Sequence, residues 1–248
     1  MKKISILILI FIVQNLMAQQ KMKPLSELIN TTDSGWPIVE DWAKSAKNKV
    51  EILKLDSTSD EEALYNTQVT TRSPMGAIIY NSGGIIIDNG WIRILGSGNS
   101  KLNRSISMWN KGKSFVEYGN PATFLLIADD AIGGFYILNG GALGNDLGKI
   151  YYFAPDSLEY EPLDLTYSEF VLFCFNNDLN DFYKGLRWKN WKTDVKNLSY
   201  DKVYNFVPFL WTKEGKEIEK NSRKEVPIEE QYLLNIDLIK QLNQTNSR

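Results

Sequence analysis

Apolar side chains near the start of the chain recur at helical spacing and predict two helices. Residues 34–46 carry apolar positions three and four residues apart, and Pro37 fits a first helical turn, where its missing N–H group costs nothing. Ser59 followed by Glu62 forms the pattern of a capping box. We therefore expect one helix over 34–46 and a second that begins at Ser59.

Short β-branched and aromatic runs predict a β-rich middle. These runs are 50–55, 77–80, 85–88, 91–95, 124–128, 134–138 and 149–153. Asn89-Gly90 indicates a hairpin, because both central residues of a type I′ turn need positive φ. We expect 77–80, 85–88 and 91–95 to form three consecutive antiparallel strands. The polar segment 96–119 is expected to be a long surface loop.

Helical spacing returns in the last third of the chain. The predicted helices are 167–175, 179–186, 191–198 and a final one from Pro227 to about residue 242. In the final helix Leu233, Leu234 and Leu238 are expected to face inward, while 203–210 is extended and 213–224 forms a charged turn. Because the chain has no repeat or linker, it predicts a single α+β domain, a twisted and mostly antiparallel sheet with helices at its N- and C-terminal ends.

The N-terminus has the pattern of a secretory signal peptide. Lys2 and Lys3 precede an apolar run over 4–13, and Ala18 provides a small residue for cleavage. The run is shorter than the roughly 20 apolar residues that a spanning helix needs. We expect residues 1–18 to be removed, the domain to occupy 19–248, no membrane span to remain, and the protein to be periplasmic or secreted.

Composition excludes several kinds of chemistry. The chain has no histidine, and Cys174 is its single cysteine, which excludes Ser-His-Asp and Cys-His catalysis and zinc sites built on these ligands. Without Lys2 and Lys3 the net charge is −4, which disfavours nucleic-acid binding. We expect no catalytic residue, metal or cofactor, and a buried, inert Cys174 in its apolar surroundings.

Arg72 and Ser73 lie where the segment 70–76 joins an apolar run. A guanidinium group beside several hydroxyl groups can hold a carboxylate or phosphate in a bidentate manner. Arg72 could equally pair with an internal aspartate and fix the loop. Both interpretations remain open at the level of sequence.

Four further residues are candidate binding positions near glycine turns. Asp129 and Asp130 follow an apolar strand, and Asn139 and Asp146 flank a glycine-rich segment. Paired carboxylates can bind a cation or transfer protons, although Asp beside Gly is also typical of a polar turn, which we favour for Asp129 and Asp130. The glycine turns should bring the strands near Asp130 and Asn139 to one edge of the sheet. If the 70–76 loop packs beside that edge, Asp129, Asp130 and Asp146 would share a recognition rim with Arg72.

The tryptophans raise the possibility of a sugar-binding surface. Trp36, Trp42, Trp188 and Trp191 fall at helical positions and are expected in the core. Trp109 lies in the polar segment and is expected to be the exposed one. An exposed aromatic ring beside two carboxylates would favour a glycan hydrolase.

Several segments resemble the bacterial family named domain of unknown function 2625. They are VTTRSPMGAII at 69–79, GWIRILGSGN at 90–99, DAIGGFYILNGGALGNDLGKIYYFAPDSLEYEPLD at 130–164, YSEFV at 167–171 and FLWTKEGK at 209–216. More distantly, 124–142, 148–158 and 167–174 resemble the core of the SUKH superfamily. That resemblance implies an α+β fold and a role like that of immunity proteins that bind toxins.

These observations predict an exported, non-enzymatic module that binds another protein, either a toxin-like or an envelope protein. A carboxylate-dependent glycan hydrolase of the cell envelope is the alternative. A cleft that holds two close carboxylates and an exposed tryptophan would favour the hydrolase. A shallow apolar patch rimmed by charge would favour the binding module.

Overall fold

A seven-stranded antiparallel sheet organises residues 22–56 and 59–246, the part of the chain that the computed structural model describes. The predicted signal peptide, 1–18, lies outside these residues. The strands are β1 Val50–Leu53, β2 Gly84–Ile87, β3 Ile92–Leu95, β4 Phe124–Asp130, β5 Phe135–Asn139, β6 Ile150–Phe153 and β7 Tyr160–Pro162. Each strand pairs with the next along the chain, so the sheet is a simple meander. Strands β8 Lys202–Val207 and β9 Ser222–Pro227 form a second, two-stranded sheet.

The helices pack around these two sheets. Within the described residues they are α1 Leu25–Leu28, α2 Trp36–Lys44, α3 Ser59–Thr67, α4 Pro74–Asn81, α5 Ile106–Asn110, α6 Tyr167–Asn176, α7 Leu179–Phe182, α8 Trp191–Asn197 and α9 Ile228–Asn246. Helices α2, α4 and α6 contact one another, and α4 also contacts β2. Helix α9 packs on β8 and β9. The prediction of a single α+β domain with a mostly antiparallel sheet is confirmed.

The segment 77–80 is not a strand, as predicted, but part of α4. The Ser73 side chain caps this helix by accepting a hydrogen bond from the backbone N–H of Gly76, and Pro74 occupies its first turn. A short apolar run does not distinguish a buried strand from a buried helix, so the cap and the proline decide. The partner of β2 is instead β1, with Val50 opposite Ile87.

The Asn89-Gly90 hairpin is confirmed. Asn89 has a φ of 64° and Gly90 a φ of 100°, and the turn joins β2 to β3 in antiparallel register. Positive φ at both positions is the reason that this dipeptide predicts a hairpin.

The segment 96–119 is not the continuous surface loop that we predicted, because it contains α5. Ser105 caps this helix, and Ile106 on its inner side is fully buried. The Asn110 side chain joins α5 to β4: its Nδ2 donates to the carbonyl of Leu126 and its Oδ1 accepts from the Leu126 N–H, both at 2.8 Å. The polar residues Ser105 and Asn110 therefore stabilise α5 and its contact with β4.

Two strands escaped prediction, and one helix face was assigned wrongly. The three residues of β7 are all partly exposed to solvent, and β9 is rich in charge, so neither shows the apolar runs that mark the central strands. In α9 Leu234 and Leu238 are half-buried, but Leu233 is 57% exposed, contrary to the prediction that all three face inward. Helix α7 ends at Phe182, four residues earlier than expected.

The expected burial of Cys174 is confirmed. Its side chain lies in the core on α6, and burial raises the pKa of the thiol well above its ordinary value. Among the residues that the structure describes, no helix combines the length and the apolar character needed to cross a membrane.

Candidate functional site

Asp129 is the centre of a buried cluster of charged side chains. Arg93 on β3 stands opposite Asp129 on β4, and its Nε lies 2.8 Å from Asp129 Oδ1, close enough for an ion pair but not aligned as a hydrogen bond. Arg104, from the turn before α5, donates to the other carboxylate oxygen and also pairs with Asp201 at 3.2 Å. The side chains of Arg93 and Asp129 have no exposed surface.

This cluster is balanced in charge and fixed by backbone carbonyls. The Arg93 guanidinium donates to the carbonyl of Lys202 at 2.7 Å, and Arg104 donates to the carbonyl of Tyr200. Burial raises the pKa of Asp129, and the two guanidinium groups oppose that shift by favouring the carboxylate. We call Arg93, Arg104, Asp129 and Asp201 the Asp129 cluster. It joins the large sheet to the segment before β8.

Asp130 closes the turn between β4 and β5. Its Oδ1 accepts backbone hydrogen bonds from Ile132 and Gly134, at 3.0 and 2.8 Å, and its Oδ2 accepts from the hydroxyl groups of Tyr152 and Tyr183, at 2.7 and 3.1 Å. Burial raises the pKa of Asp130, while these donors favour its charged form. For Asp130 the geometry matches the turn interpretation that the sequence favoured. For Asp129 that interpretation is wrong, because this residue lies within β4 and pairs with buried arginines.

Asn139 and Asp146 clamp the loop between β5 and β6. The Asn139 amide donates to Asp146 Oδ1 at 2.9 Å, and the Tyr151 hydroxyl donates to the same carboxylate. Asn139 Oδ1 accepts from the Gly141 N–H at 2.8 Å. Within the described ranges no group of three potential metal-binding residues is placed to hold an ion.

Arg72 lies apart from these residues on the surface. Its side chain is 62% exposed, and its Nε is 3.9 Å from a carboxylate oxygen of Asp33 that is also exposed. It borders an open cleft of about 480 Å³ with Glu27 and Thr70. Ser73, by contrast, is used to cap α4 and donates to the carbonyl of Thr70.

The structure therefore does not form the common rim that we predicted for Arg72, Asp129, Asp130 and Asp146. Asp129 and Asp130 are completely buried and cannot present a surface, and Asp146 is engaged by the loop clamp. Asp129 and Asp130 end strand β4 in the core, and their burial is tolerated because each carboxylate accepts hydrogen bonds from internal donors.

The Asp129 cluster reaches the surface beneath a shallow cleft of about 320 Å³. We call it the Trp109 cleft. Its apolar part is formed by Met108, Trp109, Pro227 and Ile228. Its charged part is formed by Arg104, Lys113, Asp201 and Glu229.

Trp109 is the aromatic base of this cleft, and it is buried rather than exposed as predicted. Only 5% of the residue is exposed, because its ring stacks on Phe135 and meets Tyr232 edge-on. The cations of Arg104 and Lys113 lie over the Trp109 ring, at 5.1 and 4.0 Å from its centroid. Both distances are within the range of cation–π attraction.

Met108 projects from the cleft surface beside this ring. It is 63% exposed and lies next to Trp109 on α5. It lines the same cleft as the two ion pairs Arg104–Asp201 and Lys113–Glu229, the latter 2.9 Å long. Exposed Leu233 follows Glu229 by four residues on α9, which places it on the same helix face. The result is a shallow apolar patch rimmed by charge.

Comparison with known proteins places this site within a family. A model described as protein of unknown function DUF2625 matches residues 25–231, which include every residue of the Trp109 cleft. The chain belongs to the DUF2625 family. This confirms the resemblance seen in the sequence segments.

Two relatives of this DUF2625 protein are similar over nearly their whole length. An uncharacterized protein of Haemophilus influenzae is 45% identical over 214 residues, 86% of this chain and 94% of the relative. The putative uncharacterized protein YbfG of Escherichia coli K12 is 44% identical over 209 residues, 84% of this chain and 94% of the relative. The more distant likeness to the SUKH superfamily stays a prediction.

The Trp109 cleft was missed in the sequence, although a local signal for it exists. Ser105 in front of the apolar residues of ISMWN is a capping pattern that predicts a short helix. On such a helix, adjacent Met108 and Trp109 point in different directions, so that one is exposed when the other is buried. The partners Asp201 and Glu229 are distant in sequence, and no local pattern connects them to α5.

Proposed function

We propose that this DUF2625 protein is a non-catalytic module that binds another protein through the Trp109 cleft and that it works outside the cytoplasm. The observation that carries the proposal is the exposed, unbranched side chain of Met108 on a rigid base of buried aromatic rings and paired charges. Methionine is common at binding surfaces because its flexible thioether adapts to the shape of a partner.

The Asp129 cluster makes the base of this surface rigid. Arg104 is held on one side by Asp129 and on the other by Asp201, while its cation rests over Trp109. A guanidinium group that is already ordered loses little conformational freedom when a partner arrives.

The rim defines the chemistry of the partner. Asp201 and Glu229 each face a cation, so the cleft carries alternating charges with an apolar centre. A complementary protein surface would insert an apolar side chain beside Met108 and place its own charges against the exposed part of the two ion pairs. Leu233 extends the apolar contact along α9.

The alternative function, a carboxylate-dependent glycan hydrolase, gains no support from this cleft. Its two carboxylates, Asp201 and Glu229, are each bound to a cation, and Trp109 has almost no exposed face on which a sugar could stack. A hydrolase needs one carboxyl group free to deliver a proton and a second free to act on the sugar or water.

Export is supported by the pattern of residues 1–18, with its two lysines, apolar run and small residue at Ala18. Mass spectrometry of the native protein should find the mature N-terminus at or near Gln19. A native pool that retains Met1 would contradict the extracytoplasmic part of the proposal.

Binding can be tested by comparing two matched substitutions. Met108→Glu puts a charge at the centre of the Trp109 cleft, whereas Leu147→Glu puts the same charge at a position that is 68% exposed and outside the cleft. Recovery of proteins from the native cell envelope should lose a specific partner with Met108→Glu and keep it with Leu147→Glu. Equal recovery with both variants would contradict the proposed surface.

A further inference from the structure

A second and more enclosed cavity lies on the other side of α5. Its volume is about 280 Å³, and Ile106 and Ser107 of α5 line it, whereas Met108 and Trp109 of the same helix line the Trp109 cleft. The opposite walls come from the end of α3 and from the segment before β4. We call this cavity the Asn66 pocket.

The mouth of the Asn66 pocket is held by a two-way clamp between Lys23 and Gln68. The backbone N–H of Lys23 donates to Gln68 Oε1 at 2.7 Å, and Gln68 Nε2 donates back to the carbonyl of Lys23 at 3.2 Å. Gln68 adopts a φ of 57°, in the left-handed region that residues other than glycine seldom occupy. The clamp therefore fixes the backbone of Lys23 at the mouth.

Three polar side-chain groups of this pocket are available for a ligand. The Asn66 amide, the Asn120 Nδ2 group and the Lys23 ammonium have no partner among the described side chains, whereas the Ser107 hydroxyl is buried and pairs with that of Ser105 at 3.1 Å. None of the described residues that line the pocket is acidic, and Glu27, which borders the neighbouring cleft with Lys23, forms no ion pair with it. Asn side chains can donate and accept, as a hydroxylated molecule requires.

The remaining surface of the pocket combines apolar side chains with the polar residues Thr67 and Gln68. Ile106 is fully buried beneath it, and Phe115 and Leu125 add a half-buried aromatic and aliphatic wall. A small cavity with an apolar floor and a few convergent polar groups is the usual form of a ligand site. The pocket is slightly smaller than the roughly 300 Å³ at which sites for drug-sized ligands begin. It therefore suits a molecule the size of a monosaccharide.

We propose that the Asn66 pocket binds a small hydroxylated monocarboxylate, of the sugar-acid class. The carboxylate of the ligand faces Lys23 at the mouth, its hydroxyl groups contact Asn66 and Asn120, and its C–H surface packs on Phe115. This proposal is independent of protein binding at the Trp109 cleft, because the two sites share α5 but no lining residue.

Calorimetric titration with two probes tests this assignment. D-glucuronate and D-glucose differ only in a carboxylate in place of a hydroxymethyl group, so their ratio of affinities isolates the contribution of Lys23. The purified wild-type protein should bind glucuronate at least about tenfold more tightly than glucose, a difference worth about 1.4 kcal/mol. No binding of glucuronate at millimolar concentration, or equal binding of the two probes, would overturn the proposal.

Variants then locate the site. Lys23→Gln should remove the preference for glucuronate, and Lys44→Gln, which changes an exposed lysine elsewhere, should retain it. Asn66→Leu should weaken glucuronate binding about tenfold or more, and Asn120→Ala provides a smaller change if Asn66→Leu does not fold. Leu147→Glu, at an exposed position outside both sites, should bind glucuronate as the wild type does. Unchanged binding in both Asn66→Leu and Asn120→Ala would place the ligand elsewhere and refute the assignment.

Discussion

Two arginine–aspartate pairs in this protein have the same chemistry and opposite surroundings. Arg93 and Asp129 meet at 2.8 Å with no exposed side-chain surface, whereas Arg72 and Asp33 stand 3.9 Å apart with most of their surface in water. The first pair belongs to a cluster with four charged members, and the second has only the surrounding solvent to complete it. Burial thus distinguishes the Arg93–Asp129 pair, which stabilises the fold, from Arg72, whose exposed side chain is accessible to a ligand.

This contrast bears on the surface that we propose for binding. The carboxylate that looked like a ligand group in the sequence, Asp129, lies beneath that surface, where it pairs with Arg104. The residues that we propose to contact a partner, Met108 above all, carry little chemical signature of their own. A binding surface of this kind depends on a charged support that is itself inaccessible.

Removal of the buried carboxylate is expected to have the largest effect. Asp129→Ala leaves Arg93 and Arg104 without their common partner in the interior, and unfolding free energy should fall by roughly 3–5 kcal/mol. Urea unfolding of wild type and variant measures this loss, and Asp33→Ala is the exposed control. A loss below about 1 kcal/mol for Asp129→Ala would show that the cluster does not support the fold.

A second test uses the buried Tyr136, whose hydroxyl group pairs with that of Tyr183, which in turn donates to Asp130. Burial raises the pKa of Tyr136 well above 10, whereas the same tyrosine in the unfolded chain ionises near pH 10. The stabilisation of the folded state that comes from protonated Tyr136 is therefore fully present below pH 10. It is lost as the pH rises above that value, because only the unfolded state releases the proton. The slope is about 1.4 kcal/mol per pH unit.

Tyr136→Phe should remove that share of the pH dependence. Unfolding free energies from urea titrations between pH 9 and 11 should decline less steeply for the variant by about 1.4 kcal/mol per pH unit above pH 10. Identical slopes in the two proteins would mean that Tyr136 ionises in the folded state as readily as in the unfolded one.

The smallest effect on stability is expected at the exposed pair. Arg72→Ala should change unfolding free energy by no more than about 0.5 kcal/mol, since exposed ion pairs contribute little. Thermal unfolding of this variant beside Asp129→Ala gives the comparison directly. A fall of several kcal/mol would instead make Arg72 an internal tie of the loop, the second interpretation that its sequence allowed.

The sequence was informative where local chemistry decides structure. The Asn89-Gly90 turn, the first six strands of the meander and the burial of Cys174 followed from dipeptide geometry and from runs of apolar residues. Helix α4 was mistaken for a strand because four consecutive apolar residues carry no period. The family also followed from sequence, through segments that match DUF2625.

The candidate site depends on contacts that no local pattern contains. Arg104 pairs with both Asp129 and Asp201, and Asp201 lies 97 residues after Arg104 in the chain. Each of these side chains is balanced in charge only because the fold brings them together. Trp109 was expected on the surface because it lies in a polar segment, yet its polar neighbour Asn110 anchors α5 against β4. Tertiary partners decide burial at these positions.

The central claim is that Met108 marks a surface for another protein, and site-specific photocrosslinking tests it most directly. A photoreactive amino acid would replace Met108 in one variant and Leu147 in another, two positions of similar exposure. Irradiation of native cells should give a discrete protein adduct at position 108 that is absent at position 147. The same adducts at both positions, or none at position 108, would contradict the account.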